Sequence, residues 1–314
     1  VSGNTTFANG TVCTTSGGAT SGDAAGDNTS TSTIEVVQGP ACSIAVSASA
    51  GTIACNGGTT TLTATATGAS GSVEYSLNGG AFQPGNTFTV NAAGSPYTVT
   101  AREVATPACI ATSTAVTVSE PTAISASASA GSIACNGGST TLTVTATGGT
   151  GSLQYSLNGG AFQGGNTFTV NAAGSPYTVT VQDANNCTST TSAVTVSQPS
   201  AISASASAGS IACNGGTTTL TVTATGGTGS LQYSLNGGAF QAGNTFTVNA
   251  AGSPYTVTVQ DANNCTATTS AVTVSQPSAI SASASAGSIA CNGGTTTLTV
   301  TATAGTGSLQ YSLN

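Results

Sequence analysis

Positive charge is almost absent from this sequence. Its 314 residues include one basic side chain, Arg102, with no His, no Met and no Trp, and only 3% of the residues are charged. A globular enzyme carries about 25% charged residues. General acid and base work near neutral pH falls to His, or to a Lys or carboxylate shifted by a charged neighbour. With those groups missing, the chain is read as a non-enzyme without a cofactor. Phosphate recognition needs clustered Lys and Arg, so a net charge of -7 also argues against a nucleic-acid partner. No apolar run reaches the 18 residues that read as a membrane span. Val1 opens neither a charged nor an apolar leader, so a signal peptide is expected to be removed or to lie upstream.

What the sequence has is Gly, Thr, Ser and Ala in regular alternation with apolar residues. At 38% hydrophobic it is too apolar for a disordered chain. Pro121, Pro199 and Pro277 recur every 78 residues, as do Cys135, Cys213 and Cys291. Residues 122–199 and 200–277 differ only at Thr122/Ser200, Ser139/Thr217, Gly164/Ala242 and Ser189/Ala267. Residues 43–121 form a more divergent copy, with two extra residues before the second cysteine. Residues 278–314 read as a partial fourth repeat, so the chain is expected to be a window on a longer array. Residues 1–42 read as an irregular segment or the remnant of a preceding repeat.

Each unit alternates as a β-strand does at Thr141–Ala146, Phe168–Val170, Tyr177–Val181 and Ala193–Val196. Leu153–Leu157 runs into Asn158-Gly159-Gly160 and Ala161-Phe162, the signature of a hairpin with a type I′ turn. About seven short strands per unit predict an all-β fold: a tandem array of immunoglobulin-like sandwiches. The expected core is Ile133, Leu142, Val144, Leu153, Tyr155, Leu157, Phe162, Phe168, Val170, Tyr177, Val179, Val181, Val194 and Val196.

Nine cysteines fit this frame if each repeat closes its own bond. Cys55 would then meet Cys109, Cys135 would meet Cys187, and Cys213 would meet Cys265. Cys13 and Cys42 form an N-terminal pair, and Cys291 waits for a partner beyond Asn314. Two distant cysteines per unit, with no His, disfavour zinc. A bond closing a loop of roughly 50 residues adds about 4 kcal/mol in the chain-entropy model, and oxidised cysteines imply export.

The order Ala134-Cys135-Asn136-Gly137-Gly138, Gly148-Gly149-Thr150-Gly151 with Tyr155, Ala173-Gly174, Tyr177 through Gln182-Asp183-Ala184-Asn185-Asn186-Cys187 and Val196-Ser197-Gln198-Pro199 resembles the SprB repeat. The resemblance covers residues 43–314. It implies the stalk of a long, filamentous cell-surface adhesin of gliding Bacteroidota, exported by type IX secretion. Surface or glycan ligands would then lie at a distal tip outside this sequence. Two other readings are a self-assembling extracellular filament or sheath, favoured by weak charge repulsion, and an array of carbohydrate-binding modules.

Four features carry candidate sites. Asp183 and Asp261, with Glu103 at the matching position, are the candidate calcium ligands, although one carboxylate is few for a cation needing six to eight oxygens and an Asp before Asn-Asn also forms Asx turns. Gly148–Gly151 has the glycine content of a phosphate loop without the Lys or the helix. Tyr155 and Tyr177 are either sugar-stacking rings or core. Thr141, Thr143, Thr145 and Thr147 form either an ice-binding ladder or the wet face of a sandwich.

Overall fold

The computed structural model describes residues 42–313. The proposed Cys13–Cys42 pair and the reading of residues 1–42 fall largely outside this range. All twenty elements among the described residues are strands.

In the first unit β1 (Ala45–Ala50), β2 (Thr60–Thr67) and β4 (Thr87–Val90) form one antiparallel sheet, and β3 (Val73–Leu77), β5 (Val99–Glu103) and β6 (Ile110–Thr112) form the other. The second unit repeats this with β7 (Ser125–Ala130), β8 (Ser139–Thr147) and β10 (Thr167–Asn171) against β9 (Gln154–Leu157), β11 (Val179–Gln182) and β12 (Thr188–Thr190). The third unit runs β13 (Ser203–Ala208), β14 (Thr217–Thr225), β15 (Gln232–Leu235), β16 (Thr245–Asn249), β17 (Val257–Gln260) and β18 (Thr266–Thr268), with the same pairing. Beyond it, β19 (Ser281–Ala286) and β20 (Leu298–Thr303) form one hairpin. The chain is therefore an all-β array of two-sheet, immunoglobulin-like units.

Period-two alternation decides what each sheet buries. Along β8, Leu142 and Val144 point inward and are fully buried, while Thr141, Thr143, Thr145 and Thr147 face solvent. Val179 and Val181 of β11 meet them from the opposite sheet, with Ile133, Val170, Tyr177 and Val196 closing the core. Leu153, Tyr155, Leu157, Phe168 and Val194 pack around this cluster half-buried.

Phe162 leaves the expected core: it is exposed, like its equivalent Phe240. It follows the hairpin turn and falls on the outer face. In the first unit the matching ring, Phe82, carries the Arg102 guanidinium 3.9 Å above its centroid, whereas β11 has Gln182 at the arginine's position and leaves the ring uncovered.

The hairpin turn itself is type I′, with φ +47° at Asn158, +76° at Gly159, and the Gly160 N–H donating to the Leu157 carbonyl at 2.9 Å. Buried hydroxyls are also matched: Thr191 Oγ1 accepts from the Val179 N–H at 3.1 Å, and Ser156 Oγ donates to Gly160 O at 2.6 Å. Among the described residues, no buried side-chain oxygen or nitrogen lacks a partner.

Candidate functional site

Strand directions give each unit two distinct ends. In the second unit β7 runs away from the entry at Ala123, β8 returns to it, and the last segment leaves through Gln198-Pro199. The turn Ala134–Gly138, between β7 and β8, therefore sits at the exit. The turn Asp183–Cys187, between β11 and β12, sits at the entry.

Hydrogen bonds fix both turns. At the exit, Asn136 Nδ2 donates to the Pro199 carbonyl at 2.9 Å and the Gly137 N–H donates to Gln198 Oε1 at 2.8 Å. In the first unit, Asn56 donates to the Pro121 carbonyl at 3.0 Å and Gly57 N–H to Glu120 Oε2 at 2.7 Å. In the third, Asn214 and Gly215 bind Pro277 and Gln276 in the same way.

At the entry, Asp183 is the organiser. Its Oδ2 accepts the Thr150 N–H at 2.8 Å, and its Oδ1 accepts the Asn185 and Cys187 N–H groups at 2.9 Å each. Asp261 does the same for Thr228, Asn263 and Cys265. Glu103 takes the Ser70 N–H at 2.7 Å and the Thr106 hydroxyl at 2.6 Å in the first unit. Asp183 and Asp261 each hold their loop in the form of an Asx turn, and Glu103 ties the matching loop of the first unit through Ser70 and Thr106. Among the described residues no cluster of three His, Cys, Asp or Glu side chains could hold a metal.

Burial pushes the Asp183 and Asp261 carboxyls up, and the three backbone donors outweigh it, so both sit below the usual carboxylate range. For Glu103 the Thr106 hydroxyl does most to lower the value. A depressed folded value means stability that is complete above the unfolded value near pH 4 and is lost as pH falls through the folded one. Urea midpoints should therefore be flat from pH 7 to about pH 5 and decline below about pH 4. Replacing Asp183 with Asn lowers the midpoint at pH 7, because one amide group now presents N–H to N–H. The gap from the unsubstituted chain should close on acidification; a gap independent of pH would contradict the carboxylate's assigned part.

The exit of one unit meets the entry of the next, and there the cysteines bond. Cys55 is joined to Cys187 and Cys135 to Cys265, with Cα–Cα distances of 5.6 Å in both and sequence separations of 132 and 130 residues. This corrects the expectation of one bond inside each repeat: the pairs Cys55–Cys109, Cys135–Cys187 and Cys213–Cys265 do not form. The reason is geometric. Cys135 and Cys187 lie at opposite ends of one sandwich, separated by the length of its strands, whereas a disulfide needs Cα atoms within about 7 Å. Cys213 consequently has a free, exposed thiol, as does Cys291, while Cys42 and Cys109 are each disulfide-bonded.

Each bond sits beside one further contact between units. Asn185 Nδ2 donates to the Ala54 carbonyl at 3.2 Å, and Asn263 Nδ2 donates to the Ala134 carbonyl at 3.1 Å. A cleft of about 300 Å³ lies against the first joint, bordered by Cys55, Asn56, Pro121, Ile124, Asp183 and Cys187. The second joint has a matching cleft of about 320 Å³.

The remaining candidates separate clearly. Gly148–Gly151 forms the loop whose Thr150 N–H Asp183 accepts. Tyr177 is buried, its hydroxyl donating to the Asn171 carbonyl at 2.8 Å, and Tyr155 packs half-buried against the core. The threonine ladder lies on the exposed face of β8.

No family model and no curated protein matches the chain. Among solved structures it is similar to extracellular domains 3–5 of Drosophila OTK, with 13% identity over 69% of this chain and 91% of that one, at a TM-score of 0.26. It is similar to the fibronectin(III)-like modules of Clostridium thermocellum CbhA, with 12% identity over 48% and 94% and a TM-score of 0.23. A tetra-tandem repeat from the extending region of a large adhesion protein shows 14% identity over 82% and 87%, with a TM-score of 0.21. At such scores the immunoglobulin-like assignment rests on the two-sheet topology described above.

Proposed function

We propose that this chain is a structural stalk: a stretch of an exported cell-surface adhesin, of the SprB-repeat kind, whose work is reach. The observation that carries this reading is the joint. The first and second units, and the second and third, share a peptide linker and a disulfide, so each of these pairs is held at two points, and a two-point attachment resists bending where a single peptide link swivels. Disulfides in several copies support an oxidising, extracellular setting. A surface rich in Ser and Thr hydroxyls, with one basic residue in the chain, offers few ionic contacts to salt or to partners. Attachment in gliding cells and export by type IX secretion belong to the same proposal and follow from the sequence resemblance.

The test is length against copy number. Chains carrying two, four and six complete repeats, viewed by electron microscopy, should lengthen by about 30 to 40 Å per unit, the size of a compact domain this small. Each particle should be one chain wide. Several chains across a particle would replace the stalk with a self-assembling filament, and a length that does not grow with repeats would end both. Binding of a two-unit chain to a glycan array would instead favour carbohydrate-binding modules, for which the exposed rings of the second and third units are Phe162 and Phe240 rather than their tyrosines.

A further inference from the structure

The two bonds overlap in sequence. Cys135, where the second bond starts, lies between Cys55 and Cys187, the two ends of the first; Cys187 in turn lies between the ends of the second, Cys135 and Cys265. The loops are therefore interleaved, and every peptide bond from Cys55 to Cys265 is spanned by at least one bridge. We propose that this interleaving makes the array a cut-tolerant tether: cleavage of any one peptide bond in that span leaves the chain covalently whole and still able to carry tension.

The chemistry is simple. Hydrolysis consumes one water, breaks one amide C–N bond and yields a carboxylate and an amine, leaving both S–S bonds intact. A cut on the N-terminal side of Cys135 leaves the two pieces joined through Cys55–Cys187. A cut between Cys135 and Cys187 is spanned twice. A cut from Cys187 to Cys265 is held by Cys135–Cys265. Bonds confined to single repeats would behave differently, because the stretches 110–134 and 188–212 would each be one unprotected strand of peptide. Those stretches contain the joints, where Ser197, Gln198, Ser200 and Ala201 are exposed to a protease. Tension after a cut passes through bridges whose Cα atoms are 5.6 Å apart. The proposal rests on bond topology alone and stands whatever the tether connects.

The sequence makes the test clean, because Arg102 is the only trypsin site. S200R adds a second, inside a joint. The purified variant is treated with iodoacetamide to block Cys213 and Cys291, unfolded in urea without reductant, and digested until a reduced aliquot shows complete cutting after residues 102 and 200. The unreduced digest should then have the mass of the whole alkylated chain plus two waters. Reduction should release residues 1–102, 103–200 and 201–314. Release of 201–314 before reduction would overturn the proposal. A second variant guards against misfolding of the first. C213A removes only an exposed free thiol, and cleavage before Asp183 and Asp261 should leave the two C-terminal fragments linked to residues 27–182. Release of residues 261–314 from it would mean that Cys213 had held Cys265, which the interleaved pattern forbids.

Discussion

Full reduction of the chain should lower its urea midpoint by about 2 M or more, a larger change than any single surface substitution would make. Closing loops of 132 and 130 residues removes about 5 kcal/mol each from the unfolded state in the chain-entropy model. A domain's whole stability is about 5 to 15 kcal/mol, and the denaturant slope for small domains is about 1 to 3 kcal/mol per molar urea. Each bridge spans two units, so the loss is shared between neighbours rather than confined to one. Reduction should also loosen the joints: spin labels on adjacent units, read by double electron–electron resonance, should show a narrow distance distribution that broadens once the thiols are free. A midpoint unmoved after mass spectrometry has confirmed complete reduction would mean that the sandwiches stand without the bridges; a distance distribution equally unmoved would mean that the bridges do not stiffen the joints, and the stalk reading would lose its main physical support.

Much of this was legible in the residues. The 78-residue period, the strand alternation at Thr141–Ala146 and the Asn-Gly turn each follow from local rules, and Asn158 and Gly159 adopt the positive φ that a type I′ turn demands. The Ser-Ala strands, such as β7, were not legible as strands. Alanine on their inward face is half-buried and too small to stand out as a core residue, and its place is fixed by pairing with β8, where Ala130 faces Leu142 and Ala128 faces Val144. Phe162 misled because a large ring in an apolar stretch reads as core, while the turn before it sets which face it occupies.

The cysteine pattern misled for a related reason. Chain proximity makes the nearer cysteine look like the partner, and 52 residues separate Cys135 from Cys187 where 130 separate Cys135 from Cys265. What decides the matter is the end of the sandwich on which each turn lies. That depends on the direction of every intervening strand, including β10, which pairs with β8 rather than with its sequence neighbour β9. The acidic residue ahead of the second cysteine offers two readings in the sequence, a cation ligand and an Asx turn. Its spacing fits loop organisation better, because a carboxylate two and four residues before the accepted N–H groups closes on its own backbone.

Leu142→Ala tests how far the bridges can shelter a damaged unit. Leu142 is fully buried between the sheets of the second unit, and its removal should cost about 3 kcal/mol through lost burial and the cavity left behind. In the oxidised chain, Cys55–Cys187 and Cys135–Cys265 both have an end in this unit, so its unfolded state stays short of conformational freedom and the unit should remain folded at 25 °C. Once the thiols are reduced, the same substitution should let the second unit open while the third, whose Leu220 is intact, stays closed. Hydrogen exchange at the Val144 and Val181 amides, compared with Val222 and Val259, separates the cases. Protection in all four when oxidised, and loss at Val144 and Val181 alone when reduced, is the expected result. Loss in both states would show that each unit lives on its own core and that the bridges contribute connection without stability.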